Sequence, residues 1–208
     1  MKEEHRLSAK EMDYVMDTDF LLTRRDIDQK INHLLLQCEA SLKSFIQQRN
    51  IDFPHGTRYK AGKISKGENY LQLPYYILDY PRLFTRDSIF ALRTMFWWGH
   101  YFLVTFHISG EALNLLRPAL LNKVHQLPAE NMYVYIHPSD PWQHHLSEDN
   151  YRPISTFDSV ELRQLLSSRG HLKFCRKISL QSWNNLPAFA IEFFKQMLWL
   201  VSICEERT

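Results

Sequence analysis

The sequence predicts a single α+β domain in which helices pack on a mainly antiparallel sheet of about five to six strands. The predicted order is two helices, four strands, and then helix, strand, helix, strand, helix. The four strands form consecutive hairpins, and the helices are grouped around them instead of alternating with strands in βαβ units. A length of 208 residues suits one core, so residues 1–208 are expected to form one domain, with 1–22 as a peripheral segment.

Two helices are predicted before the strands. The first runs from about Ser8 to Met16, with Ser8 as its N-cap. The second is expected to begin after Thr23 as its N-cap and to end near Asn50, because apolar residues recur there every three or four positions. These residues are Ile27, Ile31, Leu34, Leu35, Cys38, Leu42, Phe45 and Ile46. One face of this helix should therefore be buried.

Glycines and prolines between residues 54 and 81 exclude a long helix in that region. We expect a first hairpin with a strand near 59–65, a turn at 66–69 and a second strand at 70–80. Pro74 places the second strand at a sheet edge or at a bulge, because proline has no N–H to donate to the ladder.

The stretch 89–110 predicts a second hairpin with one apolar face and one partly polar face. A three-residue turn at 98–100 places Arg93 opposite Thr105 on the partly polar face. A two-residue turn would mix polar and apolar side chains on both faces, so the pattern favours the longer turn. The residues of the apolar face are then Phe90, Leu92, Thr94, Phe96, Phe102, Val104, Phe106 and Ile108.

A helix and a strand should follow the second hairpin. Ser109 caps a helix from Gly110 to about Gln126, which Pro118 is expected to kink or divide. The next strand is expected to end at Pro138. A long polar loop comes after it.

A helix, a strand and a helix complete the chain. Asp158 and Glu161 form a variant of the capping box for a helix that runs to Arg169. A strand at 171–180 follows, and the final helix opens at 184–185 with a proline in its first turn.

Composition and charge narrow the class of protein. The net charge of only +2 argues against a nucleic-acid-binding protein, which needs a clear basic excess. The basic cluster of Arg58, Lys60, Lys63 and Lys66 is typical of a solvated strand edge. Three widely spaced cysteines indicate reduced thiols, and the first residues lack an apolar signal core, so we expect a cytoplasmic protein.

The apolar stretch 187–204 is expected to be a buried helix and not a membrane span. It carries Glu192 and Lys195, whose charges are costly in hydrocarbon. Its apolar residues occupy more than one helix face, which suggests an alternative hypothesis for the function of the protein. In this alternative the chain is a non-enzymatic, homo-oligomeric scaffold whose final helix forms a homodimer interface. Burial on both sides within one monomer would explain the same pattern.

The partly polar sheet face is the main candidate for a functional site. If the strand carrying Asp79 and Tyr75 neighbours the second hairpin, these two side chains converge with Arg93, Thr105 and His107. We predict a cleft for a small polar or anionic ligand, with Arg93 as a bidentate clamp, His107 as a donor or proton carrier and Asp79 orienting one of them. A purely structural ion pair between Arg93 and Asp79 is the alternative.

No motif assigns a reaction or a cofactor. The histidines and the aspartate in the stretch 137–145 (His137, Asp140, His144 and His145) have no metal-motif spacing, so surface histidines are expected and no metal site is predicted. The sequence also lacks a G-x-S-x-G nucleophile elbow and a phosphate-binding Walker loop. Whether the protein is an enzyme, and with which catalytic residues, stays open at this level.

Overall fold

A computed structural model describes residues 6–127 and 130–202, which contain five α-helices and seven strands. The helices are α1 (Ala9–Met16), α2 (Thr18–Gln47), α3 (Gly110–Lys123), α4 (Ser159–Ser168) and α5 (Leu186–Leu200). The strands are β1 (Lys63–Tyr70), β2 (Leu73–Phe84), β3 (Ser88–Trp97), β4 (Tyr101–Ser109), β5 (Tyr133–Tyr135), β6 (Tyr151–Pro153) and β7 (His171–Ser179). They form one antiparallel sheet in the order β1-β2-β3-β4-β7-β5-β6. The predicted α+β class is confirmed, with slightly more strands than predicted.

Both N-terminal helices are held by side-chain N-caps. For α1, Glu11 N donates to Ser8 Oγ at 3.3 Å and Ser8 N donates to the Glu11 carboxylate at 2.7 Å, a complete capping box. The prediction of α1 is confirmed. The predicted start of α2 at Thr23 is wrong, because the Asp17 carboxylate accepts a hydrogen bond from Phe20 N at 2.8 Å and caps the helix earlier.

The core lies between one face of the sheet, the inner face, and the helices α2, α3 and α5. The buried side chains of α2 are Ile31, Leu34, Leu35, Cys38, Leu42, Phe45 and Ile46, so the predicted stripe is confirmed apart from the half-buried Ile27. The ring of Phe45 meets the ring of Phe194 on α5 edge-on, at 6.2 Å between centroids. The apolar stripes of α2 and α5 therefore close the core together.

The register of the second hairpin is as predicted. Arg93 pairs with Thr105, Phe96 pairs with Phe102, and His100 N bonds to Trp97 O across the turn. This register sends the phenylalanine-rich face toward the helices. The partly polar face is directed to the other side of the sheet.

The predicted turn of the first hairpin is wrong. Residues 66–69 lie in β1, and the chain turns at Leu71 and Gln72, whose φ values are +49° and +67°. Gly67 lets the Tyr75 ring pack closely against the strand and does not form a turn, because a Cβ at this position would lie 2.5 Å from that ring. The β1–β2 register shifts opposite Pro74, so the bulge is confirmed, while the edge position is wrong because β2 lies between β1 and β3.

The elements after the hairpins largely follow the sequence pattern. Helix α3 contains Pro118 and is followed by a 3₁₀ turn. Asp158 caps α4 by accepting from Glu161 N at 2.8 Å, while the Glu161 carboxylate binds Arg152. The short strand β6 was not predicted, since three residues inside a polar stretch carry no recognisable period.

Helix α5 packs as a buried element, and all its large apolar side chains are buried or half-buried. Phe189, Ile191 and Trp199 are the half-buried ones that pack against the core. The predicted homodimer through this helix stays a prediction, and the exposed apolar strip on which it was based is not found on α5. Cys204, at the end of the predicted apolar stretch, lies outside the described residues. In the part of the chain that the structure describes, none of the helices is sufficiently long and apolar to span a membrane.

Two neighbouring leucines of α2 test the packing of this core. Leu35 is fully buried, whereas Leu36 is 54% exposed. Leu35→Ala should lower the free energy of unfolding by about 2–5 kcal/mol, because it removes buried methyl groups and leaves a cavity. The matched Leu36→Ala change should cost less than about 0.5 kcal/mol. Urea unfolding followed by circular dichroism measures both, and equal losses would contradict the assigned helix face.

Candidate functional site

The side of the sheet facing away from α2, α3 and α5, the outer face, carries a row of polar side chains. Asp79 pairs with Arg93, Arg93 with Thr105, and Thr105 with Cys175. In the adjacent row His107 pairs with Lys173. Four neighbouring strands thus bring these groups together, because alternate residues of each strand share one face.

Arg93 and Asp79 form a buried bidentate ion pair. Arg93 Nε lies 2.7 Å from Asp79 Oδ1, and Arg93 Nη2 lies 3.0 Å from Asp79 Oδ2. The third guanidinium nitrogen, Nη1, lies 3.3 Å from Nε2 of His144. The guanidinium therefore has protein partners on each nitrogen, in the geometry that the alternative of a structural ion pair requires.

Residues 136–150, the covering loop, fold over the outer face and are held there by hydrogen bonds. Tyr70 Oη accepts from the backbone N–H groups of His144 at 2.6 Å and His145 at 3.1 Å. Tyr101 Oη accepts from Leu146 N at 2.9 Å. These tyrosines come from the hairpin ends of β1 and β4, so the two hairpin tips position the loop.

Lys173 lies beneath the covering loop and is only 1% exposed. Its Nζ donates to Pro141 O at 3.0 Å and Gln143 O at 2.5 Å, and it lies 4.0 Å from the centroid of the Tyr135 ring. Within residues 6–127 and 130–202, no carboxylate is within ion-pair distance of this amine. Burial first, and the Arg93 charge in the same direction, lower the pKa of Lys173 to about 7.

The two buried histidines of the site are held in their neutral form. Burial lowers the pKa of His107 and of His144 well below the ordinary value, and the positive charges of Lys173 and Arg93 add to that effect. Because an arginine can only donate, His144 Nε2 must accept from Arg93, which places the proton of the neutral ring on Nδ1. The His107 ring packs edge-on against the Trp142 ring of the covering loop, 5.7 Å between centroids.

Several buried polar atoms of this face have no hydrogen-bond partner among the described residues. They are Thr105 Oγ1, His107 Nε2, His144 Nδ1 and Tyr151 Oη. A buried polar atom without a partner costs free energy on the order of 1–3 kcal/mol. These four atoms therefore have unused hydrogen-bonding capacity for a further polar species.

Of the predicted site residues, Asp79, Arg93, Thr105 and His107 come together and Tyr75 does not. Tyr75 pairs with Trp97 and lies four residues from Asp79, about 13 Å along the strand. Lys173 was not predicted as a site residue, and the expectation that His144 lies at the surface is wrong because this residue is buried. The period-two pattern of β7 does place Lys173 and Phe174 on opposite faces of the strand, but nothing in the local sequence indicates that β7 pairs with β4.

The histidines of the covering loop are engaged in loop contacts. His137 Nδ1 accepts from Asp140 N at 3.1 Å, and His145 Nδ1 lies 2.8 Å from Tyr70 Oη. In the two described segments of the chain, no three His, Cys, Asp or Glu side chains are placed to hold a metal ion. Three surface cavities of about 540, 610 and 580 Å³ lie away from the cluster of Arg93, His107, His144 and Lys173.

Fold and site define an α+β protein with a seven-stranded antiparallel sheet, helices on one face and a loop over a buried polar cluster on the other. Comparison of the chain with protein-family models, curated proteins and solved structures finds no match.

The ion pair of Arg93 and Asp79 can be tested by a double-mutant cycle. Asp79→Leu should cost about 3–5 kcal/mol of unfolding free energy, because it leaves the buried guanidinium charge without its partner. The double variant Asp79→Leu/Arg93→Met should recover most of that loss, since neither charge is then buried alone.

The control for this cycle is the exposed ion pair Arg24–Glu68, whose side chains are 37% and 55% exposed. Glu68→Gln should cost less than about 1 kcal/mol. Urea unfolding measures all variants. A double variant as unstable as Asp79→Leu would show that the lost stability does not come from an unpaired charge.

Proposed function

We propose that the protein binds a small, singly charged anion, such as a carboxylate, between the outer face and the covering loop. The observation that carries the proposal is the buried ammonium of Lys173, which has backbone carbonyls and an aromatic ring as neighbours but no carboxylate among the described residues. Buried charges are normally paired. An anion is the species that would pair this one.

The charge balance of the cluster supports a single negative charge on the ligand. Asp79 neutralises Arg93 through two short hydrogen bonds. His107 and His144 are neutral, because burial and the nearby cations depress the pKa of each ring. Below about pH 7 one positive charge therefore remains, on Lys173. This moves the expected electrostatic contact from Arg93, which the sequence suggested, to Lys173.

The partnerless polar atoms support an oxygen-rich ligand. His144 Nδ1 carries a proton, and the hydroxyls of Thr105 and Tyr151 can rotate to donate. Carboxylate and phosphate oxygens accept hydrogen bonds from such groups, and bonds to a charged acceptor are stronger than neutral ones. Thr105 and His107, both expected from the sequence to contact the ligand, keep that role in the proposal.

The burial of Lys173 costs stability, which supports a functional reason for its presence. An amine whose pKa falls from the ordinary 10.5 to about 7 on folding contributes stability above pH 10.5 that is lost as pH falls toward 7. At neutral pH the folded protein therefore bears a penalty on the order of a few kcal/mol. A residue that opposes folding in this way is typical of functional sites.

Access to the site depends on the covering loop. Its contacts with the sheet include several hydrogen bonds, in which Tyr70 and Tyr101 accept from loop amides and Lys173 donates to loop carbonyls. When the loop lifts, water can replace these partners at little net cost in free energy. The proposed ligand enters when this loop lifts from the outer face. Catalysis is not part of the proposal.

The wider cellular setting is also a proposal. Cys38 and Cys175 are buried free thiols, which supports the cytoplasmic location expected from the sequence. A partner with a nucleic-acid backbone is disfavoured by the net charge of +2.

Replacement of Lys173 separates ligand binding from folding. Lys173→Met should raise the unfolding temperature, because an apolar side chain of similar length fills the site without a buried charge. The same change should abolish the stabilisation by acetate or formate that we expect in the natural protein. Differential scanning calorimetry measures both effects.

The matched control is Lys177→Met, on the same strand and face but exposed. It should change neither the unfolding temperature nor the response to anions. A Lys173→Met protein that still responds to both anions as the natural one does would refute the proposal. Native mass spectrometry of the purified natural protein is an independent readout of a retained small ligand.

The pH dependence of binding follows from the same amine. A bound anion raises the pKa of Lys173 above about 7, so the complex holds more protons than the free protein. Affinity for acetate should therefore fall as pH rises from about 7 to 9, by up to about tenfold per pH unit. Isothermal titration calorimetry across this range checks it, and an affinity independent of pH would contradict the role of Lys173.

A further inference from the structure

Residues 7–22, the N-terminal arm, expose an unusual amount of apolar surface. Of the fifteen large hydrophobic side chains that are exposed in the described residues, eight lie in this arm. They are Leu7, Met12, Tyr14, Val15, Met16, Phe20, Leu21 and Leu22, each between 43% and 72% exposed. Scattered exposed hydrophobic residues are ordinary, but a concentration of this kind marks an interaction surface.

The N-terminal arm is helical, and side-chain caps define where its helices begin. The capping box of Ser8 and Glu11 and the Asp17 cap fix the two helix starts, and the rings of Tyr14 and Phe20 lie 6.2 Å apart across the junction. Yet α1 has no buried residue. Contacts within the chain thus fix the start of α1, but the described residues bury none of its side chains.

Part of the exposed set shares one helical face. Met12, Val15 and Met16 stand at the i, i+3, i+4 spacing of one side of α1. In α2, Phe20 lies seven residues before Ile27 and so extends the stripe that is buried farther along this helix. The apolar stripe of α2 therefore continues beyond the body of the protein onto surface that nothing in the described chain covers.

We propose that the N-terminal arm is a dimer interface, in which the arms of two copies of this chain pack together about a two-fold axis. At roughly 100–200 Å² for a full large apolar side chain and about half of it exposed, the eight residues together present on the order of 400–800 Å², distributed over more than one side of the two helices. A standard interface buries about 800 Å² on each partner. The upper end of this range reaches the area that each partner of a standard dimer buries, and a two-fold dimer is the commonest symmetric assembly.

The charges of the arm give the dimer a characteristic response to salt. Residues 7–22 are acidic, because they contain one lysine and four carboxylates: Lys10, Glu11, Asp13, Asp17 and Asp19. Two copies bring these negative charges near each other at an exposed rim, where dissolved ions screen them. The dimer should therefore become tighter as the salt concentration rises. A complex with a basic foreign partner would become weaker.

The test is sedimentation equilibrium of the full chain at about 1 to 100 μM, at low and at high sodium chloride. The natural chain should be a dimer that tightens with salt. Val15→Lys/Leu21→Lys should weaken it by about 100-fold or more, because two charges enter the apolar contact. Both side chains are exposed in the single chain, so circular dichroism should show an unchanged fold.

The matched control is Leu115→Lys/Val160→Lys, which makes the same two substitutions at exposed positions on α3 and α4. It should leave the dimer intact. A natural chain that is monomeric at 100 μM overturns the proposal, as does a dimer that resists Val15→Lys/Leu21→Lys. These outcomes are independent of anion binding, which is measured on Lys173.

Discussion

The unequal covering of the two sheet faces is the constraint on which the rest of this structure depends. The inner face is apolar, and α2, α3 and α5 cover it with apolar stripes. The outer face carries the ion pair of Asp79 and Arg93 together with Lys173, and the backbone of a helix could not supply partners for Lys173, because its carbonyls are already bonded within the helix. A loop can do so, because its backbone carbonyls and amides are free to bond. Pro141 O and Gln143 O accept from Lys173 for this reason.

Under the proposed function, this division places stability on the inner face and anion binding on the outer face. Burial of apolar side chains on the inner face is the dominant favourable contribution to folding. The outer face opposes it, since a buried ammonium and polar atoms without partners both raise the free energy of the folded state. A protein can keep such a cluster when the remaining core provides enough stability. In the proposed function, an anion that pairs with these groups would convert the same unfavourable terms into binding energy.

Local patterns predicted most of the elements and failed where a packing contact or a competing local cap overrode them. Gly67 resembles a turn residue, but it lies in a strand because the Tyr75 ring packs against it. Thr23 resembles an N-cap, but Asp17 caps the helix earlier, beyond the point where the apolar stripe is buried. The pairing of Arg93 with Thr105 was predictable, since only one register kept the hairpin faces distinct. Tyr75 shares the face of Asp79 but lies too far along the strand.

By itself the sequence determined the α+β class, the buried stripe of α2, and the register that gives the second hairpin an apolar face and a polar face. Periodicity and capping carry this information because they act between residues close in the chain. Only the tertiary structure decided that Asp79 pairs with the Arg93 guanidinium, that β7 places Lys173 beside His107, and that the covering loop closes over them. Pairing between distant strands depends on how the entire core packs, and for that reason no local pattern encodes it.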